Sequence, residues 1–297
     1  MKLNYRHYLI LLSLSTSLFM VSCQKDKTPG VTEDAATMEA VSADENLLES
    51  SFNAVFDDAT GIDDATAGED LGIYGTAGGG VYGREMNDGA RTATRCFTVS
   101  VTPKERGVFP KTVTLDFGSG CETRGHTRKG KIIFTYTGKL NVPGKQVITT
   151  FENYSIDSFS IEGKHILTNT ATAGANQKSF SVKIENGKIT NVNNGKWWTR
   201  NSDRQFVQTE GNGTDFFPVD DVFSITGNAS GANSNNKAWV SEITSPLIKK
   251  FTCKWLVKGV LEVSVNSTVG TLDFGNGDCD NKAKLTVNGV SKTITLR

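Results

Sequence analysis

Two stretches of this chain are copies of one plan, and they limit its fold more than any other feature. The first runs from Cys96 through Thr114-Leu115-Asp116-Phe117-Gly118-Ser119-Gly120 to Cys121. The second runs from Cys253 through Thr271-Leu272-Asp273-Phe274-Gly275-Asn276-Gly277 to Cys279. In each, a Cys opens a run of β-forming residues, a second run ends in TLDFGxG, and another Cys follows 25 or 26 residues after the first. Thiols this regular pair in an oxidising compartment. Four Cys allow three connectivities. Pairing within each copy, Cys96–Cys121 and Cys253–Cys279, suits two neighbouring strands joined by a loop, and closing such a loop stabilises by ~3 kcal/mol in the chain-entropy model. Pairing across the copies stays open if they lie side by side.

The Asp-Phe-Gly inside each copy matches the triplet with which protein kinases hold magnesium. No Gly-rich phosphate loop, strand Lys or His-Arg-Asp loop accompanies it. A repeated strand-end turn explains it better. Phe117 and Phe274 pack inward, the glycines permit the turn, and each Asp bonds local backbone.

From Arg95 onward the chain is a series of short runs rich in Val, Ile, Thr, Phe and Tyr. Strands are expected over Phe97–Val101, Thr112–Phe117, Lys131–Tyr136, Val147–Tyr154, Phe159–Leu167, Phe180–Ile184, Phe223–Thr226, Ala238–Ile243, Gly259–Val265 and Leu285–Leu296. Asn186-Gly187 and Asn288-Gly289 stand between such runs, where a type I′ turn needs positive φ at both positions. Nothing here reads as a long helix. The fold class is all-β: an antiparallel, hairpin-rich sandwich or a large curved sheet.

A formal net charge of zero hides an asymmetry. Thr28 to Gly83 holds twelve acidic residues and no Lys or Arg, whereas Arg84 to Arg297 holds 28 basic and 19 acidic residues. An acidic leader therefore precedes a basic body. The plain reading is a solvating tether beside a mildly basic surface. The sharper one is a basic face for polyanions, with the leader competing for it. Within the leader, Asp44 to Phe56 suits a helix. Leu48, Phe52, Val55 and Phe56 share a face that packs on the body, and Ser42 or Asp44 serves as cap. Asp57-Asp58 and Asp63-Asp64 lack EF-hand spacing and read as solvated acids. Gly75 to Gly83 is a flexible joint without the ending of a phosphate loop. The organisation is thus 1–22 signal, 23–90 leader, and 91–297 β-domain, in one piece or as two related halves.

The signal comes from the first residues. Lys2 and Arg6 precede an uncharged run from Tyr8 to Met20. Thirteen residues at ~1.5 Å rise fall short of ~30 Å of hydrocarbon. This is a signal-peptide h-region rather than a membrane span. The run ends in Met20-Val21-Ser22-Cys23, which resembles the lipobox of bacterial lipoproteins, and Gln24-Lys25-Asp26-Lys27 resembles the export signal of surface-exposed lipoproteins of Bacteroidetes-type bacteria. The DFGxGC-type segment, with Arg128-Lys129-Gly130-Lys131-Ile132-Ile133-Phe134, is similar to uncharacterised members of that group. The resemblance implies lipid on Cys23, an outer-membrane address at the cell surface, and a membrane partner reached through acyl chains. It brings no activity with it.

Chemistry is hard to find. His126 sits among Arg124, Arg128 and Lys129, and His165 lies in a strand, so no zinc set can be assembled. No Gly-x-Ser-x-Gly elbow is present. Among carboxylates, Glu210, Asp220 and Asp221 lie near aromatics and are the candidates for paired-acid hydrolysis. No catalytic residue, metal or cofactor is assigned. Trp197 and Trp198 are adjacent, so on a strand their rings point to opposite faces. Around them stand Lys196, Arg200 and Arg204, and Tyr154, Phe216-Phe217, Trp239 and Trp255 extend the aromatic set. An exposed ring beside cations suits a sugar or anionic glycan. Nucleic acid does not fit the address. The expected function is a binding or structural module at the outer-membrane surface, for glycans, host surfaces or envelope components. The alternative is a secreted polysaccharide hydrolase or an accessory subunit of a glycan-uptake system.

Overall fold

The computed structural model describes residues 33–62, 64–74, 96–123, 125–214 and 218–296. The signal segment, Cys23, the Gln24–Lys27 signal, the Gly75–Gly83 joint, Arg124 and Phe216-Phe217 lie outside the described residues.

Among the described residues, a long helix, α1 (Glu33–Thr60), and a short one, α2 (Asp64–Ala67), precede fourteen strands. These are β1 (Thr98–Thr102), β2 (Lys111–Asp116), β3 (Cys121–Thr123), β4 (His126–Tyr136), β5 (Gln146–Ile156), β6 (Phe159–Asn169) and β7 (Ser179–Asn191). They continue with β8 (Trp197–Glu210), β9 (Val222–Ala232), β10 (Ala238–Lys250), β11 (Leu256–Val265), β12 (Thr268–Asn276), β13 (Lys282–Val287) and β14 (Val290–Thr295). All belong to one antiparallel sheet in which each strand pairs with its neighbours in sequence, except that β3 hangs on β4, which pairs directly with β2. The expected all-β class and curved sheet hold. Both repeat copies lie in this sheet, at opposite ends.

The sheet curls because its middle strands carry bulges at one level. The register slips between Lys129 and Lys131, Thr149 and Ser155, Glu162 and Lys164, and Ile184 and Gly187, on β4 to β7 in turn. A bulge adds twist and bends its strand. Two of them need glycine. Gly130 (φ +70°) and Gly163 (φ +104°) would each drive a Cβ to within 2.5 Å of the neighbouring strand's backbone. Asn186-Gly187 belongs to this line rather than to a hairpin: it lies inside β7, not between strands. Asn288-Gly289 does form the β13–β14 turn, with φ +51° and +78° closing on the pair Val287 and Val290.

The curled sheet closes on α1. Glu45, Asn46, Leu47, Leu48 and Glu49 are all buried. Five successive helical residues point in every direction around the axis, so only a surround can bury them. The helix meets β5, β6 and β8 from one half of the sheet and β11, β12 and β13 from the other. Phe56 marks the apolar centre, stacked on Phe206 at 5.0 Å and edge-on to Phe180 and Phe223. The leader helix is therefore longer than expected and forms part of the core. Ser42 and Asp44 lie inside it and cap nothing. After α2 the chain folds back, and Ile73 and Tyr74 donate to the Thr60 carbonyl at the helix end.

Both disulfides join cysteines of one copy, Cys96–Cys121 and Cys253–Cys279, with Cα separations of 5.4 and 5.8 Å. Asp116 and Asp273 each accept a hydrogen bond from the glycine N–H two residues on, at 2.9 Å. Phe117 and Phe274 are buried. The repeated motif is a strand-end turn with an aromatic anchor.

Candidate functional site

Strand β8 divides its side chains by face. Trp198, Arg200, Ser202, Arg204, Phe206 and Gln208 point inward, while Trp197, Thr199, Asn201, Asp203 and Gln205 point out. The expected cluster of Trp197, Trp198, Lys196, Arg200 and Arg204 is thereby split. Arg200 and Arg204 are not at the surface; their side chains are sealed against α1. Alternation alone dictates this, since both share the parity of Trp198, whose ring packs beside Phe159.

The inward arginines meet the helix's acids. Arg200 donates to Glu45 at 2.7 Å and to Glu49, and Arg204 lies 3.4 Å from Glu45 and 3.6 Å from Glu49. Ser241 of β10 adds a hydrogen bond to Glu45 at 2.8 Å. Further along α1, Asp58 takes Arg128 of β4 at 2.7 Å, and Asp57 lies 3.3 Å from Lys249 of β10. Beyond the helix, Glu69 takes Lys111 of β2. So Asp57 and Asp58 are not solvated acids, and Arg128 does not belong to a cationic loop around His126. The acidic leader and the basic body neutralise one another inside the protein. Burial raises the Glu45 proton affinity more than the two arginines lower it. At Glu49 burial also raises it, but Arg200 and Arg204 prevail and the pKa falls.

Two other buried polar groups were not legible in the sequence as such. His165 of β6 is wholly buried and faces Thr149 across the β5–β6 pair. Among the described residues, neither imidazole nitrogen nor the Thr149 hydroxyl has a hydrogen-bond partner. Burial alone pushes the His165 pKa down to about 4. Asp221, just before β9, accepts from Tyr74 Oη and Gln208 Nε2 at 2.7 Å each. Burial lifts its pKa, opposed by the Tyr74 hydrogen bond and Lys178. Asp220 is instead bonded by the Thr214 hydroxyl at the exposed surface, and Glu210 is exposed. The three acids do not converge on a cleft.

On the outer face, Glu242 and Glu262 stand directly opposite each other on β10 and β11, in a shallow depression of about 240 Å³ with Asn228, Ser230 and Ser264. Such a pair is invisible without the register. His126 Nδ1 lies 2.7 Å from Asp157 Oδ2, and Asp157 Oδ1 also accepts the Thr127 N–H at 3.0 Å, clamping two turns together. Among the described residues no group of three or more His, Cys, Asp or Glu gathers as a metal would require. No helix among them is long and apolar enough to cross a membrane, which says nothing about crossing by strands.

What remains of the expected site is the end of the sheet around Trp197. Its ring is half-buried on the outer face beside exposed Lys196, and its carbonyl accepts the Ser234 N–H at 2.9 Å. That bond draws the β9–β10 loop against the β7–β8 loop. Together they present Asn193, Asn194, Asn235 and Asn236, all exposed. Tyr154 and Trp239 are core residues, and Trp255 is partly buried with Lys254 4.6 Å above its ring. Comparison with protein-family models, curated proteins and solved structures finds no match.

Proposed function

We propose that this chain is a lipid-anchored protein of the outer-membrane surface that binds glycan on the outer face of its sheet, around Trp197. The observation that carries the reading is the split of the tryptophan pair. Trp198 is held in the core, while Trp197 turns outward between two loops rich in exposed amides, with Lys196 beside it. An aromatic face flanked by amides and a cation stacks on a sugar ring and bonds its hydroxyls or carboxylate. The interior of the curl is filled by α1, so a polymer meets this protein from outside. The address rests on Met20-Val21-Ser22-Cys23 and the charged residues after it. The alternative, a polysaccharide hydrolase, calls for two acids converging in a cleft. Asp221 is enclosed, and Glu242 and Glu262 stand on open sheet.

Binding to a panel of neutral and acidic polysaccharides, at two salt concentrations, tests the proposal. Saturable binding abolished in Trp197→Ala and weakened in Lys196→Ala is expected. Binding that survives Trp197→Ala, or no binding to any polymer, overturns it.

A further inference from the structure

Lys178 is a buried cation that takes no part in the charge pairs around α1. It stands just before β7, and Asp221 stands just before β9, with β8 between them. Gln208 of β8 fixes both. Its side-chain oxygen accepts the Lys178 backbone N–H at 3.0 Å, and its Nε2 donates to Asp221 Oδ1 at 2.7 Å. Tyr74, on the segment that folds back after α2, closes the group. Its hydroxyl donates to Asp221 Oδ2 at 2.7 Å, and Phe251 lies edge-on to its ring at 5.1 Å. The Asp221 side chain is wholly enclosed and that of Lys178 nine-tenths buried, with Nζ 3.4 Å from Oδ2 and 5.6 Å from the Tyr74 ring centroid.

As an ion pair this contact is poor. An ammonium carries three donors, yet among the described residues Nζ has no acceptor at hydrogen-bonding geometry. Charges buried without such bonds do not recover their desolvation cost. Passing one proton from Nζ to the carboxylate relieves it, and burial favours that transfer by raising the proton affinity of Asp221. The pair then consists of an amine and a carboxylic acid in a dry, aromatic-walled place, within the ~3–3.5 Å at which bound groups react. Two donors already hold the carboxyl oxygens. Other lysine–acid pairs lack this combination. Lys111 is enclosed with Glu69, but its ammonium also donates to the Glu105 carbonyl. Lys183 lies 3.0 Å from Asp203, but both are half open to solvent.

We infer that Lys178 and Asp221 join in an intramolecular isopeptide bond, Nζ to Cγ, with loss of one water. After the first proton transfer the Nζ lone pair attacks Cγ, and the C–O π pair moves onto Oδ1, where Gln208 Nε2–H stabilises the charge. The Tyr74 hydroxyl gives its proton to Oδ2 and recovers one from the nitrogen. The pair on Oδ1 then re-forms the carbonyl as the Cγ–Oδ2 bond breaks. Ammonium and carboxylate thus become one amide and one water, and no oxidant or co-reactant is needed. The bond ties the start of β7 to the start of β9 across β8, a link that reduction cannot open. It shares no residue with the Trp197 reading and does not depend on it.

Tandem mass spectrometry of the purified full chain, denatured, reduced and digested with trypsin, tests it. The expected product is a branched peptide joining the segments that hold Lys178 and Asp221, one water lighter than their sum and uncut after Lys178. Lys183 should be cut normally and serves as the internal control. Tyr74→Phe keeps the ring and removes the proton donor, so the link should form roughly 100-fold more slowly in that variant. Separate, unmodified Lys178 and Asp221 peptides from the native chain overturn the inference, as does a link through a different lysine. A link that forms equally fast in Tyr74→Phe overturns the proton route given to Tyr74.

Discussion

Arg200, near the start of β8, places its guanidinium 2.7 Å from the Glu45 carboxylate on α1, with both side chains sealed from water. One residue comes from the acidic leader and the other from the basic body, 155 positions apart. Such a pair brings little net stability over a well-packed apolar pair, because desolvating two charges offsets their attraction. Its effect is on arrangement. Rotating or sliding α1 by one residue would part Glu45 and Glu49 from Arg200 and Arg204 and leave buried charges without their partners.

Breaking the pair from one side is therefore expected to be severe. Glu45→Ala leaves Arg200 and Arg204 short of an acid in the interior, a change that costs roughly 3–5 kcal/mol in buried pairs. Asp203→Ala breaks the exposed Lys183–Asp203 pair, 3.0 Å apart and half open to solvent, and should cost under about 1 kcal/mol. Urea denaturation of both variants measures the contrast. Equal, small losses would mean that the helix sits in the sheet without help from these charges.

Acid should loosen the protein before its carboxylates titrate. The folded pKa of His165 is about 4 against an ordinary 6.5, so the unfolded chain takes up a proton first. Stability falls as pH drops through about 6.5 and levels off below about 4, a loss of up to about 3 kcal/mol from this group. Glu49, whose pKa is lowered, adds a further loss as pH falls below its unfolded value of 4.5. Glu45, whose pKa is raised, works the other way, its contribution shrinking as pH rises. His165→Leu should flatten the profile between pH 6.5 and 4. Parallel urea-midpoint profiles for the variant and the native chain would refute this.

The two tryptophans should separate cleanly in stability. Trp198→Ala empties a buried place beside Phe159 and should cost about 3–5 kcal/mol. Trp197→Ala, on the outer face, should shift the thermal midpoint little. Comparable losses in both would place Trp197 in the core.

Each disulfide closes a loop of similar length, with sequence separations of 25 and 26. Replacing either pair by Ser is expected to cost about 3 kcal/mol, with the two effects nearly additive because the two closed loops share no residue. Thermal unfolding of the two double variants and their combination measures this. A combined loss well below the sum would show that the copies unfold as one coupled unit.

Much of the fold was legible in the amino-acid order, because it rests on local chemistry. Alternation of apolar and polar residues marked most strands, the regular cysteines marked the disulfides, and Asn288-Gly289 marked a hairpin. Strand β8 escaped for a physical reason: four of its inward positions are Arg200, Ser202, Arg204 and Gln208, so its buried face is polar and carries no hydrophobic period. The acids of α1 misled in the same way, since a run of charge reads as solvated until its partners are in place. What only the tertiary structure decided is where those charges go. A line of bulges curls the sheet, the curl encloses the helix, and enclosure turns an acidic tether and a basic surface into one neutral interior. The outer face is left with Trp197 and with the opposed Glu242 and Glu262, because side chains pair across distances that no sequence spacing records.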